Sequence, residues 1–266
     1  MQITLLGTGN ALVTECYNTC FVLSDGDKNL LVDAGGGNGI LHQLKHAGFK
    51  LQDIHEIFVT HQHIDHLLGV IWLIRIMAQL MHRDNFSSDV NIYSHDEVIN
   101  LLRDITVKLL LPYQAAYLDQ RIHLITINDN DTRNIAGHDV TFFDIHSART
   151  KQYGFIMTLN GEKFLTCCGD EPCHEACESY VRNSELLLHE AFCLYSQVDV
   201  FKPYEKHHST VRDAAMLAER LGVKNLLLYH TEDSNLINRK ELYTSEARKY
   251  FAGKVFVPYD LEVITL

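Results

Sequence analysis

Six residues carry the densest chemistry in this chain. The segment HQHIDH places His61, His63, Asp65 and His66 directly behind the short apolar run IFVT. In an extended segment, side chains two apart share a side, so His61 and His63 point together. A tight turn then brings Asp65 and His66 round from another direction. A lone histidine after a strand is ordinarily a surface or core residue. Four ligand-type side chains this close read as metal ligands, and one short segment can hardly wrap all four around one ion. Two adjacent ions are therefore expected.

More ligands are expected at distant strand ends. His146 closes VTFFDIH, Asp170 closes FLTCCGD and His230 closes LLLYH, so each stands where an apolar run stops. They are three more candidates for the same centre.

These pieces, with the opening TLLGTGN and the LLVDAGGG strand and loop, resemble the metallo-β-lactamase superfamily, and the match runs along nearly the whole chain. The resemblance implies an α/β fold, a four-layer αββα sandwich with the site at one edge between two sheets. It implies that His61, His63 and His146 hold one ion, that Asp65, His66 and His230 hold the other, and that Asp170 bridges them. Asp33 would orient a ligand from outside, as ligating histidines need a fixed tautomer. Zinc suits this donor set, and manganese or iron tolerates it.

Within the superfamily the chain is most similar to the ribonuclease Z and phosphodiesterase branch. LLHEAF (187–192) matches its His-Glu-Ala motif, and HHSTVRDAAMLAERLGVKNLLLYH (207–230) matches its His-Ser-Thr and the helix leading to the last histidine. By that similarity Glu190 pairs with His208, which a carboxylate keeps charged so that it protonates the leaving oxygen or helps to hold a phosphate; Asp65, His208 and Glu190 are the catalytic candidates. His207 is out of register with the motif.

The expected reaction is metal-hydroxide attack on a small or cyclic phosphodiester. The alternatives are ribonuclease Z-like RNA processing, an ester or lactone hydrolase, and, outside catalysis, a metal-binding sensor or scaffold. The short span from His146 to Asp170 leaves room for a hairpin and not for the tRNA-gripping arm of long-armed ribonuclease Z. With 23 Lys plus Arg against 34 Asp plus Glu, the net charge is −11. Both features make a large nucleic acid an unlikely partner in this reading, since polyanion binding draws on excess cations.

The elements that must position these residues are legible as well. Apolar runs and turn signals predict strands at the N-terminus, before His61, at DVNIYSH, at 122–127 and 139–146, and in a hairpin turning at Asn160-Gly161. Helices are expected over 38–48, 67–81, from Asp96, over 209–222 capped by Ser209 or Thr210, and over RKELYTSEARKYF. With no linker, one domain over 1–266, built of two similar halves, is expected. Leu67–Met81 is too short and polar for a membrane span and reads as a buried helix; it also offers Trp72 and Met77 to a homodimer. Seven irregularly spaced cysteines read as reduced thiols of a cytoplasmic protein. Cys173, His174 and Cys177 are a weak candidate for a separate metal site. Gly7-Thr8-Gly9 lacks the rest of a dinucleotide loop. Tyr153, His95, Glu171, Cys173 and His174 are further candidates to line the pocket.

Overall fold

The computed structural model describes all 266 residues. The first half builds a sheet from β1 (Gln2–Gly7), β2 (Cys20–Asp25), β3 (Lys28–Val32), β4 (Glu56–Phe58), β5 (Val90–Ser94) and β6 (Ile122–Thr126). The second sheet follows from β7 (Thr132–Ile135), β8 (His138–Asp144), β9 (Tyr153–Thr158), β10 (Phe164–Cys167), β11 (Leu186–Glu190), β12 (Asn225–Tyr229) and β13 (Lys254–Phe256). The last strand, β14 (Val263–Thr265), crosses back and pairs with β1, so each sheet has seven strands. Both sheets change from antiparallel to parallel pairing midway, at β3 and at β10. This shared pattern relates the two halves.

The layers follow from where the apolar side chains go. The inner faces of both sheets meet in one core, with Phe21, Phe58, Phe142 and Phe155 among its members. The outer face of the first sheet is covered by α1 (Gly39–His46), α2 (Ile64–His82) and α3 (Asp96–Leu109). The outer face of the second is covered by α7 (Val211–Arg220) and α8 (Arg239–Ala247). Short helices α4 (Pro112–Ala115), α5 (Glu178–Val181) and α6 (Val198–Phe201) fill connections. The result is the four-layer αββα sandwich of the metallo-β-lactamase fold.

Two details place the site. Helix α2 begins at Ile64, three residues before the apolar run suggests, so Asp65 and His66 lie in its first turn. The helix is long and apolar enough to span a membrane, yet most of it packs in the core. Met77 is buried there, whereas Trp72 is partly exposed. Gly69 lets α2 press against the loop after β3: a Cβ there would meet the Ala34 carbonyl oxygen at 1.8 Å. Two backbone bonds, Ala34 N–H to His66 O and Gly69 N–H to Gly35 O, seal that contact. Helix α7 is capped by Thr210, whose hydroxyl oxygen accepts the Asp213 N–H while the Asp213 carboxylate accepts the Thr210 N–H.

Candidate metal centre

The side chains that meet at the edge between the sheets all come from the C-terminal ends of strands. The loop after β4 carries His61 and His63, the first turn of α2 carries Asp65 and His66, the turn after β10 carries Asp170, and His230 follows β12. Asp170 is central. Its Oδ2 lies 3.5 Å from His61 Nε2, 3.5 Å from His66 Nε2 and 3.6 Å from His230 Nε2. Asp65 Oδ2 lies 3.4 Å from His66 Nε2 and 3.6 Å from His230 Nε2. His61 Nε2 is 2.8 Å from His63 Nδ1.

His61 is hydrogen-bonded through both ring nitrogens, to Thr60 and His63, but its neighbours are not. His66 Nε2 and both ring nitrogens of His230 are buried with no hydrogen-bond partner. Buried polar atoms are nearly always satisfied, so His66 Nε2 and His230 Nε2, both turned toward the Asp65 and Asp170 carboxylates, are suited to a cation. Two overlapping sets, His61–His66–Asp170 and Asp65–His66–His230, have donor atoms close enough to hold an ion each. The donors fit a binuclear centre of divalent metal ions.

The orientation is built from behind. Asp33, in the left-handed conformation (φ 57°), accepts a hydrogen bond from His66 Nδ1 at 2.7 Å, which turns Nε2 toward the centre. The Asp33 carboxylate also accepts the Thr60 N–H and hydroxyl, each at 2.8 Å, tying the β3 end to the β4 end. Gln152, fully buried, donates to Asp170 Oδ1 at 2.7 Å and leaves Oδ2 free. Gly169 (φ 76°) makes room for that amide, since a Cβ there would sit 2.2 Å from it. Burial alone would raise both carboxylates. The imidazoles of His66 around Asp65, and of His61 and His66 around Asp170, outweigh it and hold both below the usual range.

Not every expected residue joins. His146 lies two residues past the end of β8, exposed, with φ 58°, and belongs to neither donor set. Glu190 and His208 come together, Oε2 to Nδ1 at 3.6 Å, but without a hydrogen bond. The expectation that Glu190 keeps His208 charged is corrected. Burial, and then neighbouring His230, pushes the His208 imidazole down to about 3, while burial pushes Glu190 up. His208 is a neutral ring stacked on Phe192 at 4.9 Å, and Glu190 accepts the Ser209 N–H, bracing the turn that carries His208.

Beside the centre lies a cavity of about 220 Å³ that His63, Asp65, Asp170, His208 and His230 help to line. Its wall also includes Asn10, Phe192, Arg149 and Lys206, which the sequence reading missed. Tyr153 and His95 do not reach it: both are buried, and they pack on each other at 5.4 Å. Glu171 is buried and accepts the Ser147 hydroxyl; Cys173 and His174 stand outside the lining. Cys173 and Cys177 join no metal-type cluster, and all seven cysteines are free.

A family profile described as anti-Pycsar protein Apyc1 matches residues 1–249. Ribonuclease Z of Clostridioides difficile (strain 630) is 25% identical, with 96% of this chain and 95% of that protein covered. Among solved structures, the metallo-β-lactamase fold protein YhfI from Bacillus subtilis superposes with a TM-score of 0.79 at 20% identity, covering 99% of this chain and 98% of that one. The short form of human tRNase Z superposes at 0.73 with 22% identity, covering 100% and 99%. The expectation that a large nucleic acid is an unlikely partner is thereby overturned, because full-length relatives are ribonucleases. Net charge is an average over the surface and does not report the local charge at a cavity. From the strand-end ligands to the length of the match, the chain belongs to the family of the anti-Pycsar protein Apyc1, within the metallo-β-lactamase superfamily.

Proposed function

We propose that this chain hydrolyses phosphodiesters. The observation that carries the reading is Asp170 Oδ2, equidistant within 0.1 Å from the imidazoles of His61, His66 and His230 and open to a cavity whose wall carries Arg149 and Lys206. In this reading His61, His63 and His146 hold one ion, Asp65, His66 and His230 the other, and Asp170 is shared. When bound, such an ion pair supplies Lewis-acid activation of water and neutralises charge on phosphoryl oxygens. The chain's own groups do the rest. Asp33 and Gln152 hold the ligand atoms in place. His208 offers a ring N–H to the leaving oxygen, and its stacking on Phe192 fixes the ring plane. Glu190 positions His208 through Ser209.

A small cyclic phosphodiester is the substrate we favour. The compact cavity of about 220 Å³ beside the centre, walled by Arg149 and Lys206, is the feature that supports it. RNA cleavage is the second reading, and the ribonuclease Z relatives support it. The test is turnover by metal-loaded protein of bis(p-nitrophenyl) phosphate, of purine and pyrimidine 3′,5′-cyclic nucleotides, and of a precursor tRNA. Hydrolysis of the first two is expected. Cleavage of precursor tRNA alone would replace the favoured substrate with RNA, and no hydrolysis of any of them with two ions bound would sink the phosphodiester reading.

A further inference from the structure

The rim of the cavity holds two cations without anionic partners. Arg149 and Lys206 make no ion pair, and they are the only lysine or arginine side chains that line this cavity. In a chain of net charge −11 two cations left unpaired beside a hydrolytic centre call for an anion from outside. They come from different loops, one after β8 and one between α6 and α7, and the loops are joined there. Arg149 Nη1 donates to the Lys206 carbonyl oxygen at 3.1 Å. Lys206 Nζ lies 4.9 Å over the ring of Phe192, the same ring on which His208 stacks. Both cations are exposed, so they meet a ligand before the buried centre does.

The Arg149 loop is fixed from beneath. The Ser147 hydroxyl donates to Glu171 Oε1 at 2.7 Å, and its oxygen accepts the backbone N–H groups of Arg149 at 3.1 Å and Thr150 at 3.3 Å. Glu171 is 2% exposed and is the next residue after Asp170. One stretch of backbone therefore sets both the central carboxylate and the height of the Arg149 loop above it.

We propose, on the basis of the phosphodiester reading above, that Arg149 and Lys206 form a two-cation clamp for the non-bridging oxygens of the substrate phosphate. Glu171 is the positioning residue that sets it through Ser147. A guanidinium and an ammonium complement a phosphate by charge-assisted hydrogen bonds, and the clamp favours an anionic diester over a neutral ester.

The experiment measures kcat and KM on bis(p-nitrophenyl) phosphate, the dissociation constant of inorganic phosphate by calorimetry, and metal content, all on metal-loaded protein. Arg149→Ala and Lys206→Ala each raise KM and weaken phosphate about tenfold, the size of a lost charge-assisted hydrogen bond, with two ions retained and kcat changed far less. Glu171→Ala reproduces the Arg149→Ala effect and adds little to it in the double variant, whereas Glu171→Gln, which keeps an acceptor for Ser147, restores KM. Unchanged KM and phosphate affinity in the Arg149→Ala/Lys206→Ala double variant would overturn the clamp. A Glu171→Ala protein that loses metal or kcat with KM intact would overturn the positioning role. If the wild type turns over no phosphodiester, the functional reading fails by itself, and the phosphate constants still decide the clamp.

Discussion

The floor of the site and its rim are built by opposite means. On the floor, His61, His66, Asp170 and His230 are buried at strand ends, and His66 and Asp170 are aimed by the buried partners Asp33 and Gln152. On the rim, Arg149 and Lys206 are exposed and held by a few backbone contacts, and His146 is exposed on the same loop as Arg149. The floor is preorganised before any ion arrives; the rim is placed to respond to what enters. Preorganisation has a cost. Without cations the floor leaves polar atoms unsatisfied, so its stability is coupled to metal.

The sharpest break of this contrast is on the floor. Asp170→Ala removes the carboxylate whose Oδ2 faces His61, His66 and His230 at once. It is expected to abolish metal binding and to lower phosphodiester turnover by roughly three orders of magnitude or more, as loss of one member of a cooperating catalytic unit does. Elemental analysis and kcat check it, and an Asp170→Ala protein holding two ions would show that the donor sets are misread. His146 tests the rim next. If it completes the first ion's ligands, His146→Ala lowers bound metal from two ions per chain to one. Two ions retained at full occupancy would leave His146 as a loop residue, as the structure shows it. Asp33→Asn comes third. It weakens the carboxylate behind His66 and should reduce metal affinity by about 10- to 100-fold, the usual range for such a partner, with the fold kept by the remaining Thr60 contacts. Competition with a chromophoric chelator reads this, and an unchanged affinity would mean that packing alone orients His66.

The smallest effect concerns pH and lies outside the centre. His95 is buried, and burial pushes its imidazole down to about 4. Its folded pKa is below the unfolded value, so between about pH 6.5 and 4 the unfolded chain binds the extra proton. Stability from this group is complete above about 6.5 and is lost as pH falls toward 4. Replacing His95 by an apolar residue of similar size, as in His95→Leu, should flatten the stability curve across that window by an amount on the order of 2 kcal/mol. Urea unfolding at pH 7 and pH 5 decides it: a wild type and a variant with the same difference between the two pH values would refute the assignment.

The local pattern carried most of the floor. HQHIDH after an apolar run shows where a strand ends and ligands begin, and the same pattern recurs at Asp170 and His230 because strand ends at one sheet edge converge in space. The helix under Thr210, the Asn160-Gly161 hairpin and the resemblance of the halves were legible for the same reason, since each rests on short-range periodicity and turn chemistry. The rim was not legible. Arg149 and Lys206 lie far apart in the chain, and surface cations carry no signature until two loops meet. Gln152 was hidden as well, because a glutamine beside a strand looks like any solvated residue until Gly169 opens a space for its amide. The charge state of His208 misled for a related reason: a neighbouring carboxylate suggests a charged ring, and only three-dimensional burial shows that desolvation prevails.

By itself, then, the sequence marked the candidate ligands, because these depend on residue type and on spacing along a strand or turn, and its resemblance to the metallo-β-lactamase superfamily implied the sandwich and the hydrolytic class. The tertiary structure alone decided that Asp170 sits among three imidazoles, that His146 stands outside them and that two unpaired cations face the cavity. Those facts depend on packing between distant segments, down to a glycine at position 69 that lets a helix close on a loop, and spacing along the chain does not encode such contacts.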